Sequence, residues 1–232
     1  MKQYDFLLFD VDNTLMDFNR AEHDALRDCL IQFGFPGDEA LIRAYSVIND
    51  RHWKMLERGE IEREVLMWKR FEAFSDECDL KPMDAHAFSE AYVEQLSHKA
   101  YLLDGALEVC RALAERYTLC AITNGNAKVQ HGRFDPSPIY PYFHKTFISD
   151  EMGVDKPSQA YFDLVKAALP TLDVRRTLVI GDSLTSDIAG GEAWGTDTCW
   201  VCPREDKRGA AADKGLQPTY VIAHLRELLD IL

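Results

Sequence analysis

The sequence predicts an α/β protein: a parallel sheet covered by helices, with an all-helical block inserted directly after the first strand. Four short apolar runs are the first sign: "LLFDVDNTL" (7–15), "YTLCAITNGN" (117–126), "RTLVIGDSLTSD" (176–187) and "TDTCWVCP" (196–203). They are continuous rather than alternating, as in strands covered on both faces. Helical patterns then fall between the later runs, at 104–117, 158–170 and 185–195. Strands alternating with helices imply parallel pairing. Finally, residues 16–98 carry helical periodicity and no strand pattern. The expected division is 1–15 with 99–232 for the sheet, and 16–98 for a helical domain standing above it as a lid.

Taken in order, the first run ends in two acids, Asp10 and Asp12, followed by Asn13 and Thr14. Residues two apart in extended backbone point to the same side. Two carboxylates ~4 Å apart repel by roughly 4 kcal/mol at an effective dielectric near 20. A bound cation, a shared proton or a turn must relieve that, and each marks a site rather than a scaffold. The helical block follows. "NRAEHDALRDCLIQFGF" sets Leu26, Cys29, Leu30 and Phe33 on one face, with a capping box expected from Asn19 and Glu22. "DEALIRAYSVINDRHWKMLERGE", "IEREVLMWKRFEAF" and "MDAHAFSEAYVEQLSHKAY" continue in helical period. Later, "DPSPIYPYF" (135–143) is a proline-rich loop too short for a linker.

Composition narrows the function. Across 232 residues the formal charge is −13, which argues against nucleic-acid polymers as partners. A small anion remains acceptable where a metal and a few cations neutralise it. No apolar run approaches the ~20 residues that span a bilayer, and "MKQYDFLLFD" lacks a signal-peptide core, so the expectation is a cytoplasmic protein with no membrane partner. Cys199 and Cys202 form the one CxxC; without a second pair they read as buried strand cysteines rather than zinc ligands.

In parallel sheets the ligand site lies beyond the carboxyl ends of the strands, where all the polar clusters sit. An aspartate there, Asp10, can attack phosphorus and form an aspartyl phosphate. Asp12 can protonate the leaving oxygen and then take a proton from the hydrolytic water; the alternative is an Asx-rich turn that caps the strand. Thr123, Asn124 and Gly125 offer a hydroxyl and backbone N–H groups to a phosphoryl oxygen, or form a plain turn. Lys156 in "GVDKP" can neutralise charge on nucleophile and phosphoryl group, or be a solvated lysine. Asp182 completes a hard oxygen-ligand set with Asp10, suited to magnesium. Asp187, about a helical turn further on, can hold a metal-bound water; Asp182 or Ser183 can equally cap a helix.

In this order and at these strand ends, "DVDNT", "TNG", the lysine of "GVDKP" and "GDSLTSD" resemble the four motifs of the haloacid dehalogenase superfamily, and the helical insertion resembles its C1 cap. The resemblance implies a Rossmann-like core with Asp10 as nucleophile, Asp12 as acid/base, and Thr123 and Lys156 on the phosphoryl group. It implies Mg2+ held by Asp10, the Asp12 carbonyl and Asp182. The superfamily's dehalogenases lack the acid two residues after the nucleophile, so Asp12 favours phosphoryl chemistry. Its phosphonate hydrolases use a cap lysine, for which Lys54, Lys69 and Lys81 are candidates. Within the superfamily, "NDRHWKMLERGEI", "LLDGALEVCRAL", "AITNGNAKVQ" and "GTDTCWV" are similar to bacterial nucleotidases that hydrolyse pyrimidine nucleoside monophosphates. That likeness implies a small phosphorylated metabolite as partner; the expected state of the chain is a monomer or homodimer. Residues 131–147 depart from it where a helix and a glycine-leucine turn usually stand.

Phe18 and Trp53 are the candidates for stacking on a base; the competing reading places Trp53, Trp68 and Phe71 together in the cap core. Other outcomes stay open: a phosphatase for sugar phosphates or other phosphometabolites, mutase-like phosphotransfer as in β-phosphoglucomutase, or, outside enzymes, a receiver-like phosphorylation switch.

Overall fold

The computed structural model describes residues 3–203 and 209–232. Its centre is a parallel sheet of six strands among the described residues, in the order β3-β2-β1-β4-β5-β6. This is the order of Rossmann-type sheets, in which the direction of winding reverses between the first and fourth strands. β1 (Phe6–Phe9) lies in the middle and is buried and wholly apolar. It pairs with β2 (Thr118–Thr123) and β4 (Thr177–Gly181), Leu8 standing level with Cys120 and Val179. β5 (Asp197–Val201) and β6 (Tyr220–Ile222) extend the sheet on one side and β3 (Phe143–Ile148) on the other.

Two of these strands, β3 and β6, gave no apolar run. They are the sheet's edges: β3 exposes His144 and Lys145, and β6 is three residues long. An edge strand is covered on fewer sides, so its sequence need not be continuously apolar. The proline-rich segment 135–143 ends in a single 3-10 turn, Tyr140–Tyr142, and packs Tyr140 and Phe143 edge-on against Phe134.

After β1 the chain makes four helices: α1 (Phe18–Gln32), α2 (Glu39–Glu57), α3 (Arg63–Glu77) and α4 (Ala85–Ser97). They surround an apolar core of their own, with Leu26, Leu30, Tyr45, Phe71, Phe74 and Phe88 inside it. Tyr45 stacks on Phe71 with ring centroids 5.0 Å apart, a contact worth about 1 kcal/mol beyond its buried area. The expected capping box is not formed. The N-cap is Asp17, whose Oδ1 accepts from the Arg20 N–H at 2.9 Å. Glu22 instead falls on the inward face of α1, where Asn49 Nδ2 donates to it at 2.7 Å and Ser46 Oγ donates to it as well.

The remaining helices cover the sheet: α5 (Ala106–Ala114), α6 (Ala127–Phe134), α7 (Ser149–Met152), α8 (Gln159–Ala168), α9 (Ala189–Trp194), α10 (Ala210–Asp213) and α11 (Leu228–Ile231). One apolar cluster, with Leu7, Phe9, Val109 and Leu178, fills one face of the sheet; another, with Leu8, Ile122, Tyr161 and Phe162, fills the other. Cys199 and Cys202 are buried in and just after β5. Among the described residues no helix is long and apolar enough to cross a membrane.

Candidate active site

The winding reversal places the end of β1 beside the end of β4. Asp10 follows β1 directly, its N–H donating to the Ile180 carbonyl at 2.8 Å. Gly181 closes β4 and Asp182 follows it. A π-helical turn, Leu184–Ile188, brings Asp187 back over the strand end. A Cβ at Gly181 would sit 2.2 Å from Asp187 Oδ2, so only glycine leaves room for that return. Asp10, Asp182 and Asp187 each offer a carboxylate oxygen, all within 4.8 Å of one another.

Lys156 enters this cluster from below. Its Nζ donates to Asp10 Oδ1 at 2.9 Å, to Asp187 Oδ1 at 2.7 Å and to the Ile122 carbonyl at 2.9 Å, so its three donors are all used. The side chain is 1% exposed, which removes the solvated-lysine reading. Burial by itself would lower its pKa, but the Asp10 and Asp187 carboxylates outweigh this and hold it above the usual lysine range. For the acids burial wins instead. Burial pushes Asp10 up to about 7, against the pull of Lys156 and with a further push from Asp187. Burial, then Asp10 and Asp187, carry Asp182 well above the ordinary carboxylate range. Three acids thus share one ammonium, and Asp10 Oδ2 is buried without a hydrogen-bond partner. The donor set is all oxygen, crowded and under-neutralised, which suits a small hard divalent cation.

Asp12 has hydrogen-bond partners of its own, although its charge also adds a small upward push on Asp10 and Asp182. Arg133 Nη2 donates to its Oδ1 at 2.5 Å and Gln130 Nε2 to its Oδ2 at 2.7 Å. The two adjacent acids of the sequence are therefore relieved by separate cations, Lys156 for Asp10 and Arg133 for Asp12. Neither Gln130 nor Arg133 stood out in the sequence, because polar residues on a surface helix usually face water. Their spacing of three on the helix leaving the Thr123–Gly125 cluster was the available signal.

The remaining residues of that cluster are placed as follows. Thr123 is 1% exposed and its Oγ1 accepts from the Gly125 N–H at 3.1 Å. The Asn124 side chain is spent on the Lys156 backbone, donating to its carbonyl and accepting from its N–H, each at 2.8 Å. All three line one cavity of about 200 Å³ with Asp10, Asp12, Lys156, Asp182 and Asp187.

Its opposite wall comes from the helical block and includes Phe18, Trp53, Met67, Arg70 and Tyr92. Both expected aromatics border the cavity. The Phe18 ring lies over the Arg133 guanidinium at 5.5 Å, and Trp53 has Arg63 at 5.5 Å and Arg70 at 6.0 Å from its ring. The competing reading, which places Trp53, Trp68 and Phe71 in the cap core, holds for Phe71 and not for the two tryptophans. Trp68 stacks on His86 at 4.7 Å beside another depression, and Phe71 lies in the helical core. Lys54, Lys69 and Lys81 pair with Asp50, Glu72 and Asp76 on the outer surface, and none lines the cavity. Arg63, which the sequence did not single out, crosses from α3 to the sheet side: its Nη2 donates to Ser149 Oγ at 2.6 Å and the Asn124 carbonyl at 3.2 Å, and it pairs with Asp155.

A family model described as haloacid dehalogenase-like hydrolase matches residues 4–195. The chain is 36% identical to the HAD-hydrolase YfnB of Bacillus subtilis strain 168, over 100% of this chain and 97% of that one. The crystal structure of YfnB bound to magnesium, which reveals interdomain movement, superposes with a TM-score of 0.92 at 35% identity, covering 100% of this chain and 99% of the other. The pyrimidine 5'-nucleotidase PynA of Streptococcus pneumoniae R6 is 35% identical, over 99% of this chain and 95% of its own. The pyrimidine 5'-nucleotidase YjjG of Escherichia coli K12 is 27% identical, over 99% and 98%.

Proposed function

This chain belongs to the haloacid dehalogenase-like hydrolases, and from that premise we propose that it hydrolyses phosphomonoesters through an aspartyl phosphate, with pyrimidine nucleoside monophosphates as its substrates. The observation that carries the reading is the separation of two acids two residues apart: Asp10 sits in the cluster of Lys156, Asp182 and Asp187, while Asp12 is held by Gln130 and Arg133. In this reading Asp10 acts as the nucleophile and Asp12 as the proton carrier.

In the first half-reaction a carboxylate oxygen of Asp10 bonds to phosphorus while the ester P–O bond breaks. Asp12 gives its proton to the departing oxygen, so the alcohol leaves neutral. In the second, water gives a proton to Asp12 and attacks phosphorus; the bond to Asp10 breaks, releasing phosphate. Lys156 keeps one Asp10 oxygen oriented and offsets charge on the phosphoryl group. Thr123, Asn124 and Gly125 line the same cavity, and in this reading the Thr123 hydroxyl meets the phosphoryl group. Asp10, Asp182 and the Asp12 carbonyl would hold Mg2+, with Asp187 beside them; bound there, the ion supplies charge neutralisation to the phosphoryl oxygens.

The nucleotide assignment is supported by the PynA and YjjG relatives and by the aromatic wall around Phe18 and Trp53. Residues 16–98 act in this reading as the cap that closes over the substrate. Phosphate release from a panel of phosphorylated metabolites tests it: UMP, CMP and their deoxy forms are expected to give the highest kcat/KM. Dominance of sugar phosphates with inert nucleotides would remove the nucleotide assignment and leave the phosphatase one.

A further inference from the structure

Gln130 and Arg133 lie outside the groups that touch a phosphoryl ester, yet their side chains converge on one carboxyl. They stand three apart on α6, hence on one face, and each serves a different oxygen of Asp12. Arg133 is 0% exposed, and its Nε and Nη1 are buried without hydrogen-bond partners. An ion pair that served only to hold the fold together would use more of the guanidinium fork, because burying the charge costs several kcal/mol. Here one nitrogen of the fork meets Asp12 and its central carbon lies over the cavity-lining ring of Phe18 at 5.5 Å.

Gly125 adds an independent observation. Its φ lies outside the left-handed range, so the backbone does not require glycine there. Space does: a Cβ would fall 2.0 Å from Gln130 Nε2 and 2.7 Å from its Cδ. The amide of Gln130 passes directly over residue 125 on its way to Asp12.

We propose that Gln130 and Arg133 are positioning residues that aim the Asp12 carboxyl at the departing oxygen, and that Gly125 is glycine so that Gln130 can reach it. The Asp12 side chain is itself 23% exposed, at the start of a turn, so its own surroundings fix it weakly. The inference rests on the acid role of Asp12 proposed above.

Leaving-group dependence tests it. Nitrophenolate departs without a proton, whereas the alcohol of a nucleotide needs one, so a misdirected acid harms the second substrate more. We compare kcat/KM on UMP and on p-nitrophenyl phosphate, replacing UMP by ribose 5-phosphate should the wild type refuse it. The variants are Asp12→Asn, Gln130→Met, Arg133→Met, Arg133→Lys and Gly125→Ala, each first shown to be folded by near-UV circular dichroism. Gln130→Met, Arg133→Met and Gly125→Ala are expected to lose at least about tenfold more on the alkyl ester, with Arg133→Lys recovering part of the loss. Equal losses on both esters, or no loss in Gln130→Met, while Asp12→Asn keeps its own leaving-group dependence, would overturn the positioning role. Absence of that dependence in Asp12→Asn would overturn the acid role and the inference with it. Gln130→Met and Gly125→Ala carry the comparison should Arg133→Met not fold.

Discussion

The Asn124 side-chain amide locks the Lys156 backbone at two points, its Nδ2 donating to the carbonyl and its Oδ1 accepting from the N–H, each at 2.8 Å. The lock joins the end of β2 to the loop before α8, and it fixes the height at which Lys156 Nζ meets Asp10 and Asp187. Asn124→Ala removes both bonds and leaves the lysine's own partners intact. Because small misplacements at a reacting centre cost as much as 100-fold, kcat on p-nitrophenyl phosphate is expected to fall by roughly 10- to 100-fold with modest loss of thermal stability. An unchanged kcat would show that the lock does not position Lys156.

Lys156→Met takes the shared cation from Asp10 and Asp187. Removing one partner of a buried ion pair costs about 3–5 kcal/mol. The abandoned carboxyls escape part of that by binding protons. The folded-state pKa of Asp10, already raised to about 7, rises further once Lys156 is gone, so stability is retained at low pH and lost as pH climbs through the folded value. Urea denaturation of the metal-free variant should show a much larger deficit against wild type at pH 8 than at pH 5; an equal deficit would contradict the assigned charges.

Metal affinity carries the same sign. In the metal-free cluster burial pushes Asp10 up to about 7 and raises Asp182, so both bind protons more readily than a free carboxylate. A divalent ion must displace them. Calorimetric titration of EDTA-stripped protein with Mg2+ is expected to give tighter binding at pH 8 than at pH 6, with protons released on binding. Affinity independent of pH over that range would place the ion elsewhere.

Trp53 borders the cavity from α2. If a base stacks on it, the contact is worth ~1–3 kcal/mol. Trp53→Ala should then raise KM for UMP by roughly 5- to 100-fold more than KM for ribose 5-phosphate, which carries no base. Parallel increases for both would return Trp53 to a purely structural role.

The sequence showed most clearly what physics makes local. Strands β1, β2, β4 and β5 are buried on both faces and so are written as continuous apolar runs, and the acids that follow β1 and β4 mark the site. The edges β3 and β6 were not legible, because exposure frees their sequences from that pattern. Glu22 misled because acid at the third helical position suits a cap, whereas here Asn49 and Ser46 make an inward carboxylate tolerable. The partners of Asp12 were hidden for a related reason. Gln130 and Arg133 lie 118 and 121 residues from it, and their value comes from where α6 docks rather than from their own neighbourhood.

The claim beneath all of this is that Asp10 becomes covalently phosphorylated. Acid quenching during turnover, reduction of any acyl phosphate with borohydride and peptide mapping read that bond directly. Conversion of residue 10 to homoserine, dependent on substrate and absent from Asp10→Asn, is the expected result. Full turnover with no reduction at residue 10, or with the label at Asp12, would contradict the account.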